Sequence, residues 1–221
     1  MTTPSVHPPH AHRPAREIEA DLARLQAELA AAHASAAASA SEAITDYTLH
    51  TTAGAPVRLS ALFGPHQDLL LIHNMGRTCA YCTLWADGFI GLHRHITQRA
   101  ALVLASPDDP GTLAAFAASR QWPFTCVSFA GTTLAADMGY QRTLPDGRVQ
   151  PLPGVSALRL LPASGGAAPS IIRTNTTPFG PGDLYCPIWP LLGLLRDGAK
   201  GWAPTLPPPP AAPHTVTIGR S

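Results

Sequence analysis

Cys79-Ala80-Tyr81-Cys82 sets two thiols three residues apart, a spacing that on one helical turn brings both sulfurs within bonding reach. Such a pair either exchanges electrons with other thiols or supplies half of a zinc site. Zinc needs two more ligands, and the remaining cysteines, Cys126 and Cys186, stand apart with no second C-x-x-C. No metal is expected. If the pair opens a helix, the unpaired amides and the positive end of the helix dipole stabilise a thiolate at the first position, below the pKa of about 8.5 of a free thiol. Cys79 then attacks, and Cys82, one turn further in, resolves the mixed disulfide that the attack creates. Arg77, two residues upstream, either adds a cationic field or is simply solvated. Cys126 sits in a strand-like run and reads as a small buried apolar group. Cys186, beside Pro187, reads as packing, with a third redox thiol as the alternative.

These residues need a strand and a helix to hold them. Leu69-Leu70-Leu71-Ile72-His73-Asn74 is a continuous apolar run of the kind found in a strand covered on both faces. Met75 to Thr78 reads as a loop, and from Cys79 the positions Trp85, Phe89, Leu92 and Ile96 have helical spacing. A strand, a loop and a helix therefore meet at Cys79. Upstream, Tyr47 to Thr51 alternates, Ala53-Gly54 turns, Val57 to Leu59 resumes, and Ser60 is placed to cap the short turn Ala61 to Phe63. Downstream, Ala101 to Ala105 reads as a second strand. Asp109-Pro110 supplies an N-cap and a first-turn proline for a helix to about Arg120. Phe124 to Phe129 reads as a third strand and Leu134 to Met138 as a helical turn. Val155 to Leu161 and Ser170 to Thr174, separated by Ser164-Gly165-Gly166, read as a hairpin. Leu184 to Leu195 closes the chain as an apolar helix starting at or after Pro187. Alternating strands and helices followed by an antiparallel pair imply an α/β fold with a mixed sheet flanked by helices.

Composition bounds the partners. The 221 residues carry 15 Lys+Arg and 14 Asp+Glu, a net charge of +1, and only 13% charged residues, about half the roughly 25% usual for soluble domains. Nucleic-acid binding by bulk electrostatics is disfavoured. Proline is abundant, at 24 residues, and where it clusters at the two ends the chain reads as a disordered His/Pro-rich tail over 1–13 and a disordered Pro-rich tail over 200–221. Between the first tail and the domain, residues 14–43 favour a helix with one apolar stripe, Ile18, Leu22, Leu25 and Leu29. It is read as a leader helix against the domain, or alternatively as a dimer-forming one. No secretory signal and no apolar run of about 20 residues is evident, so a soluble cytoplasmic protein without membrane contact is expected.

The stretch from Leu59 to Tyr140 resembles a bacterial thioredoxin-like family of unknown function. The resemblance is carried by Leu-Ser-Ala-Leu-Phe-Gly, by His73-Asn74-Met75, and by Cys79-Ala80-Tyr81-Cys82-Thr83-Leu84-Trp85-Ala86-Asp87-Gly88-Phe89. Gln98-Arg99, Ala105-Ser106-Pro107, Trp122-Pro123-Phe124, Val127-Ser128 and Asp137 fit as well, as do the preceding helix and Gly154-Val155-Ser156. The resemblance implies a thioredoxin-like fold over residues 44–199 and a cysteine pair where thiol-disulfide oxidoreductases carry theirs. It names no substrate. Two departures stand out. Thioredoxin-like enzymes carry a cis-proline facing the cysteines, and Ser156 is read at that site, where a cis bond would cost ~3 kcal/mol and a trans peptide is expected. Between Ile171 and Asp183, Arg173-Thr174-Asn175 and Pro178 to Gly182 replace an aromatic and His-bearing segment.

The other candidates have bland and sharp readings. Asp87, five residues beyond Cys82, is about 140° round a helix from it; it is a proton acceptor for Cys82 or a structural surface acid. His73, ending the central strand, is a proton relay or a hydrogen-bonded structural group. His93 and His95 point apart and make a poor metal pair, and His7, His10 and His12 form at most a weak metal cluster. Trp85 and Trp122 read as core, and Leu191 to Leu195 as the closing helix. The reading is dithiol-disulfide exchange by Cys79 and Cys82. Arg77, Val155 and Ser156 line the groove for a protein or small-molecule substrate, an external thiol is the reductant, and no bound cofactor is needed. One alternative is a non-catalytic module holding a ligand near Cys79 and Ser156. The other is a thiol peroxidase, disfavoured because Gly76 stands three residues before Cys79, where peroxidases use threonine.

Overall fold

The apolar run of the central strand is buried from both sides, and the rest of the fold follows from that. In the computed structural model, which describes residues 13–163 and 169–206, β4 (Asp68–His73) lies between β5 (Ala101–Ser106) and β9 (Gly154–Leu161). It is parallel to β5 and antiparallel to β9. The eight-stranded sheet also contains β1 (Glu42–Ile44), β2 (Thr48–Thr51), β3 (Pro56–Arg58), β6 (Thr125–Ser128) and β10 (Ser170–Pro178). Its order is β1-β10-β9-β4-β5-β6-β2-β3, with β4, β5 and β6 parallel.

Strand alternation sorts the core into two layers. Leu69, Leu71, Val103, Val127 and Leu158 face a 3-10 turn (Leu59–Phe63) and the short helix α4 (Leu134–Asp137), closing over Phe63, Leu134 and Met138. Ile72, Leu102 and Leu104 face the other way, against α2 (Ala80–Ile96) and α3 (Pro110–Arg120), with Trp85, Phe89 and Leu113. The helix α3 starts as its sequence dictates, Asp109 accepting from the Thr112 amide at 3.0 Å with Pro110 in the first turn. A mixed sheet with helices on both faces is the thioredoxin-like α/β class expected from the sequence.

Several local expectations need correction. Ser60 does not cap the 3-10 turn: its amide and hydroxyl both bond Asp46, at 2.8 and 2.7 Å, tying the turn to the chain before β2. The helix drawn over 14–43 is α1 (Ala15–Ser39), and Glu42–Ile44 becomes the edge strand β1 on β10. Arg173 of β10 holds Glu42 with two nitrogens, at 2.8 and 2.5 Å. The strand expected over Ser170 to Thr174 continues to Pro178 past a bulge between Arg173 and Asn175. A two-stranded sheet of β7 (Gln141–Thr143) and β8 (Val149–Pro151) was not read from the sequence, although Asp146-Gly147 marks its turn. The closing helix is short, α5 (Ile188–Gly193), following Pro187.

The segment up to Ser39 is a separate unit. No residue of α1 is buried, and Ile18, Leu22, Leu25 and Leu29 are all exposed. Arg24–Glu28 pairs along its surface. Residues 1–12 with His7, His10 and His12, the Ser164-Gly165-Gly166 turn, and residues 207–221 lie outside the described residues. Among the described residues, no helix is long and apolar enough to cross a membrane.

Candidate functional site

The loop leaving β4 is fixed before it reaches the cysteines. Asn74 is buried; its amide donates to the Ala105 carbonyl at 3.0 Å, and its side-chain oxygen accepts from the Gly76 amide at 2.6 Å. Gly76 has φ 97°, a conformation that L side chains rarely adopt, and a Cβ there would press on the Asp108 carboxylate at 3.3 Å. That carboxylate accepts from the Arg77 amide at 2.8 Å and from the Ser106 hydroxyl at 2.9 Å. The loop is thus tied to the ends of β4 and β5, and a last turn, Cys79 amide to Gly76 carbonyl at 3.1 Å, starts α2.

Cys79 is the N-cap of α2 and forms a disulfide with Cys82, their Cα atoms 5.3 Å apart. The Cys82 amide points at the Cys79 sulfur, 3.1 Å away. In the reduced state this first-turn amide donates to a thiolate and favours it over the thiol. The two sulfurs are unequal: Cys79 is half-buried, whereas Cys82 is 4% exposed. Thr83, buried beneath them, donates its hydroxyl to the Cys79 carbonyl at 3.0 Å and locks the cap. His93, Arg94 and His95 in the last turn complement the other end of the helix.

The two flanks of α2 differ. On one, the Tyr81 ring stacks on Trp189 of α5 with centroids 6.1 Å apart, Trp85 stacks on Phe179 at 5.4 Å, and Cys186 is buried in the same cluster. On the other, Asp87 meets Arg120 through both carboxylate oxygens and also accepts the Trp122 indole N–H at 2.9 Å. Trp122 is therefore half-buried and polar-tethered, whereas Trp85 is core.

The other residues singled out from the sequence separate. Asp87 is held away from Cys82, both its oxygens bonded in the Arg120 and Trp122 clasp. His73 does not face the helix that carries the cysteines. It shares a sheet face with Leu69 and Leu71, opposite the face on which α2 packs. Its Nε2 lies 2.9 Å from the Ser156 hydroxyl, and burial, with the Arg173 charge second, takes its pKa down to about 3. Ser156 is 0% exposed and cannot line a groove. Val155 is half-buried against the α2 layer, and its bond to Ser156 is trans, like every peptide among the described residues. Arg77 is exposed. Cys126 is buried, which pushes its thiol up to about 12, and it points at the Phe124 carbonyl, 3.6 Å away. Among the described residues, no three His, Cys, Asp or Glu side chains converge as a metal site.

One residue at the site, Pro153, escaped the sequence reading. Pro153, directly before β9, and Gly154, paired in register with His73, form the strand entry nearest the loop. A Pro-Gly pair ahead of an apolar run was the available signal.

Residues 2–152 match the family described as "Bacterial protein of unknown function (DUF899)". No curated protein matches the chain. Among solved structures, reduced Prx3 in complex with H2O2 from Vibrio vulnificus is similar at 12% identity and TM-score 0.50, over 66% of this chain and 90% of that one. Peroxidoxin BcpB from Mycobacterium tuberculosis is similar at 27% identity and TM-score 0.49, over 54% of this chain and 78% of that one. The fold is similar to that of the thioredoxin-fold peroxiredoxins.

Proposed function

The chain belongs to the bacterial family of unknown function DUF899, and from that starting point we propose that it is a thiol-disulfide oxidoreductase working through Cys79 and Cys82. The observation that carries the reading is the disulfide at the N-terminus of α2, between a half-buried Cys79, whose sulfur accepts a helix amide, and a buried Cys82. In the reduced protein, the Cys79 thiolate attacks one sulfur of a substrate disulfide. The substrate S–S bond breaks, a new bond joins Cys79 to that sulfur, and the other substrate sulfur leaves as a thiolate and takes up a proton. Cys82, deprotonated, then attacks the Cys79 sulfur, expelling the second substrate thiolate and closing the Cys79–Cys82 disulfide. Two electrons pass from the pair to the substrate. An external thiol restores the pair by the reverse steps, in the reducing cytoplasm where such a dithiol would work.

The buried loop anchors support this assignment of roles. Asn74, Gly76 and Asp108 fix the approach to the helix through hydrogen bonds that do not involve the disulfide, so the anchors of the cap do not depend on that bond. The test is turnover: the protein is expected to catalyse reduction of insulin disulfides by dithiothreitol, with Cys79→Ser abolishing it. Absence of turnover together with a Cys79 thiol titrating at 8.5 or above would overturn the reading. Ligand binding that survives loss of both cysteines would instead support a binding module.

A further inference from the structure

Arg120 is left half-used by its clasp. A guanidinium carries five N–H donors, and only Nε and one Nη2 hydrogen are taken, both by Asp87. The Asp87 carboxylate is meanwhile filled by Arg120 on both oxygens and by Trp122. Three donors on a side chain only 13% exposed therefore have no acceptor among the described residues. They border a groove of about 210 Å³ that runs along α2 over Ala80, Thr83, Leu84 and Asp87, with Trp202 on the far wall. Those four helix positions follow the i, i+3, i+4, i+7 rule of a single flank. Ala80, the residue after Cys79, and Arg120 both line the groove.

We propose that this groove binds the carboxylate of a peptide-sized thiol, held by the free edge of Arg120 so that its sulfur reaches Cys79. The proposal rests on the exchange reading above and names its reductant. A planar guanidinium edge with two parallel donors matches a carboxylate. The eight residues from Cys79 to Asp87 rise about 12 Å along the helix, and an extended residue covers at most ~3.5 Å. A single amino acid falls short, and a molecule of two to three residues spans the groove once the reach of both side chains is counted. In the step itself, the bound thiolate attacks the Cys79 sulfur, the Cys79–Cys82 bond breaks, and Cys82 leaves as a thiolate that is protonated from water. A second molecule of the thiol attacks the first one's sulfur in the mixed disulfide and releases Cys79. Two thiols become one disulfide, and the pair gains two electrons.

The test compares reduction of the oxidised full-length protein by glutathione, by glutathione diethyl ester, by cysteine, by cysteine ethyl ester and by dithiothreitol. Each rate is divided by the rate on an unfolded peptide carrying the same Cys-Ala-Tyr-Cys disulfide. Glutathione is expected to exceed its ester by on the order of tenfold, with saturation, while cysteine gains nothing over cysteine ethyl ester. In Arg120→Gln the glutathione-to-ester ratio should fall towards one. Equal normalised rates for glutathione and its ester on the wild-type protein overturn the proposal whatever the variant does, as does an unchanged ratio in a folded Arg120→Gln. If dithiothreitol reduces the pair and glutathione shows no preference, only this proposal fails. If no thiol reduces it, the exchange reading fails with it.

Discussion

His73 and Tyr140 lie ring over ring, their centroids 3.6 Å apart and their planes 13° from parallel. The Tyr140 hydroxyl reaches the Val155 and Thr177 carbonyls, both at 3.0 Å, and the Thr176 hydroxyl at 2.6 Å, so the stack is pinned to β9 and β10. The His73 Nδ1 is buried without a partner among the described residues. Burial first, then the nearby Arg173 charge, take the imidazole pKa from 6.5 to about 3. The unfolded chain therefore binds this proton below pH 6.5, while the folded protein does not until about pH 3. The stabilisation is complete above 6.5 and is lost as pH falls through that window, by ~1.4 kcal/mol per pH unit. Between pH 7 and pH 5, urea unfolding of the wild type should lose about 2 kcal/mol more than that of His73→Gln, which stays neutral throughout. Parallel pH profiles for the two proteins would refute this account of His73.

Gly154 stands opposite His73 in register, under the same ring. A Cβ there would run into the Tyr140 ring and come within 2.6 Å of the Thr177 carbonyl. The ring cannot retreat without breaking its hydroxyl bonds, and the carbonyl belongs to a paired strand. Gly154→Ala should destabilise the fold by about 3 kcal/mol, the upper range for overpacking. Chemical denaturation reads this directly, and a midpoint unchanged from wild type would mean that the strand entry relaxes freely.

The Asp87–Arg120–Trp122 clasp joins α2 to the end of α3 and is only partly open to solvent. Asp87→Asn keeps the shape but strips the charge from the carboxylate, leaving a mostly buried guanidinium uncompensated. A loss of about 2 kcal/mol is expected, between the values for exposed and fully buried pairs. Trp122→Phe removes one neutral donor to a charged acceptor and should lose about 1.5 kcal/mol. Thermal melts of both variants give the ranking; a larger loss for Trp122→Phe would show that packing of the indole, not the ion pair, holds the helices together.

What the sequence made legible was what short-range physics determines. The run Leu69 to Ile72 must be buried on both faces, Asp109-Pro110 must start a helix, and Cys79 to Cys82 must share a turn. The placement of Asp87 was not legible in the same way, because its partners lie 33 and 35 residues away and nothing local separates a surface acid from a clasped one. Angular position on a helix correctly turned it from the cysteines but could not say towards what. Ser156 failed for a similar reason. Strand alternation fixes which residues share a face but not which layer covers that face, and the layer over Ser156 is built by Tyr140 from the far side of β7 and β8. The β7–β8 pair itself was missed because its strands are three residues long, too short for a period to register.

The four cysteines should differ in reactivity by orders of magnitude, because burial and the helix terminus act on them in opposite directions. Cys126 is held up to about 12 by burial, so at pH 7.5 it is almost wholly the unreactive thiol. Cys186 is raised as well, chiefly by burial. Cys82 is 4% exposed, and Cys79 alone combines access with an amide donor at its sulfur. Iodoacetamide added to the reduced, folded protein at pH 7.5 should therefore modify Cys79 first, with Cys126 and Cys186 labelled only after unfolding. Cys82→Ser should accumulate a mixed disulfide on Cys79 when given a disulfide substrate, since nothing remains to displace it, whereas Cys79→Ser should accumulate none on Cys82. Peptide mapping by mass spectrometry reads both outcomes. Preferential labelling of Cys82 would reverse the roles, because the sulfur that meets the reagent first is the one that meets a substrate.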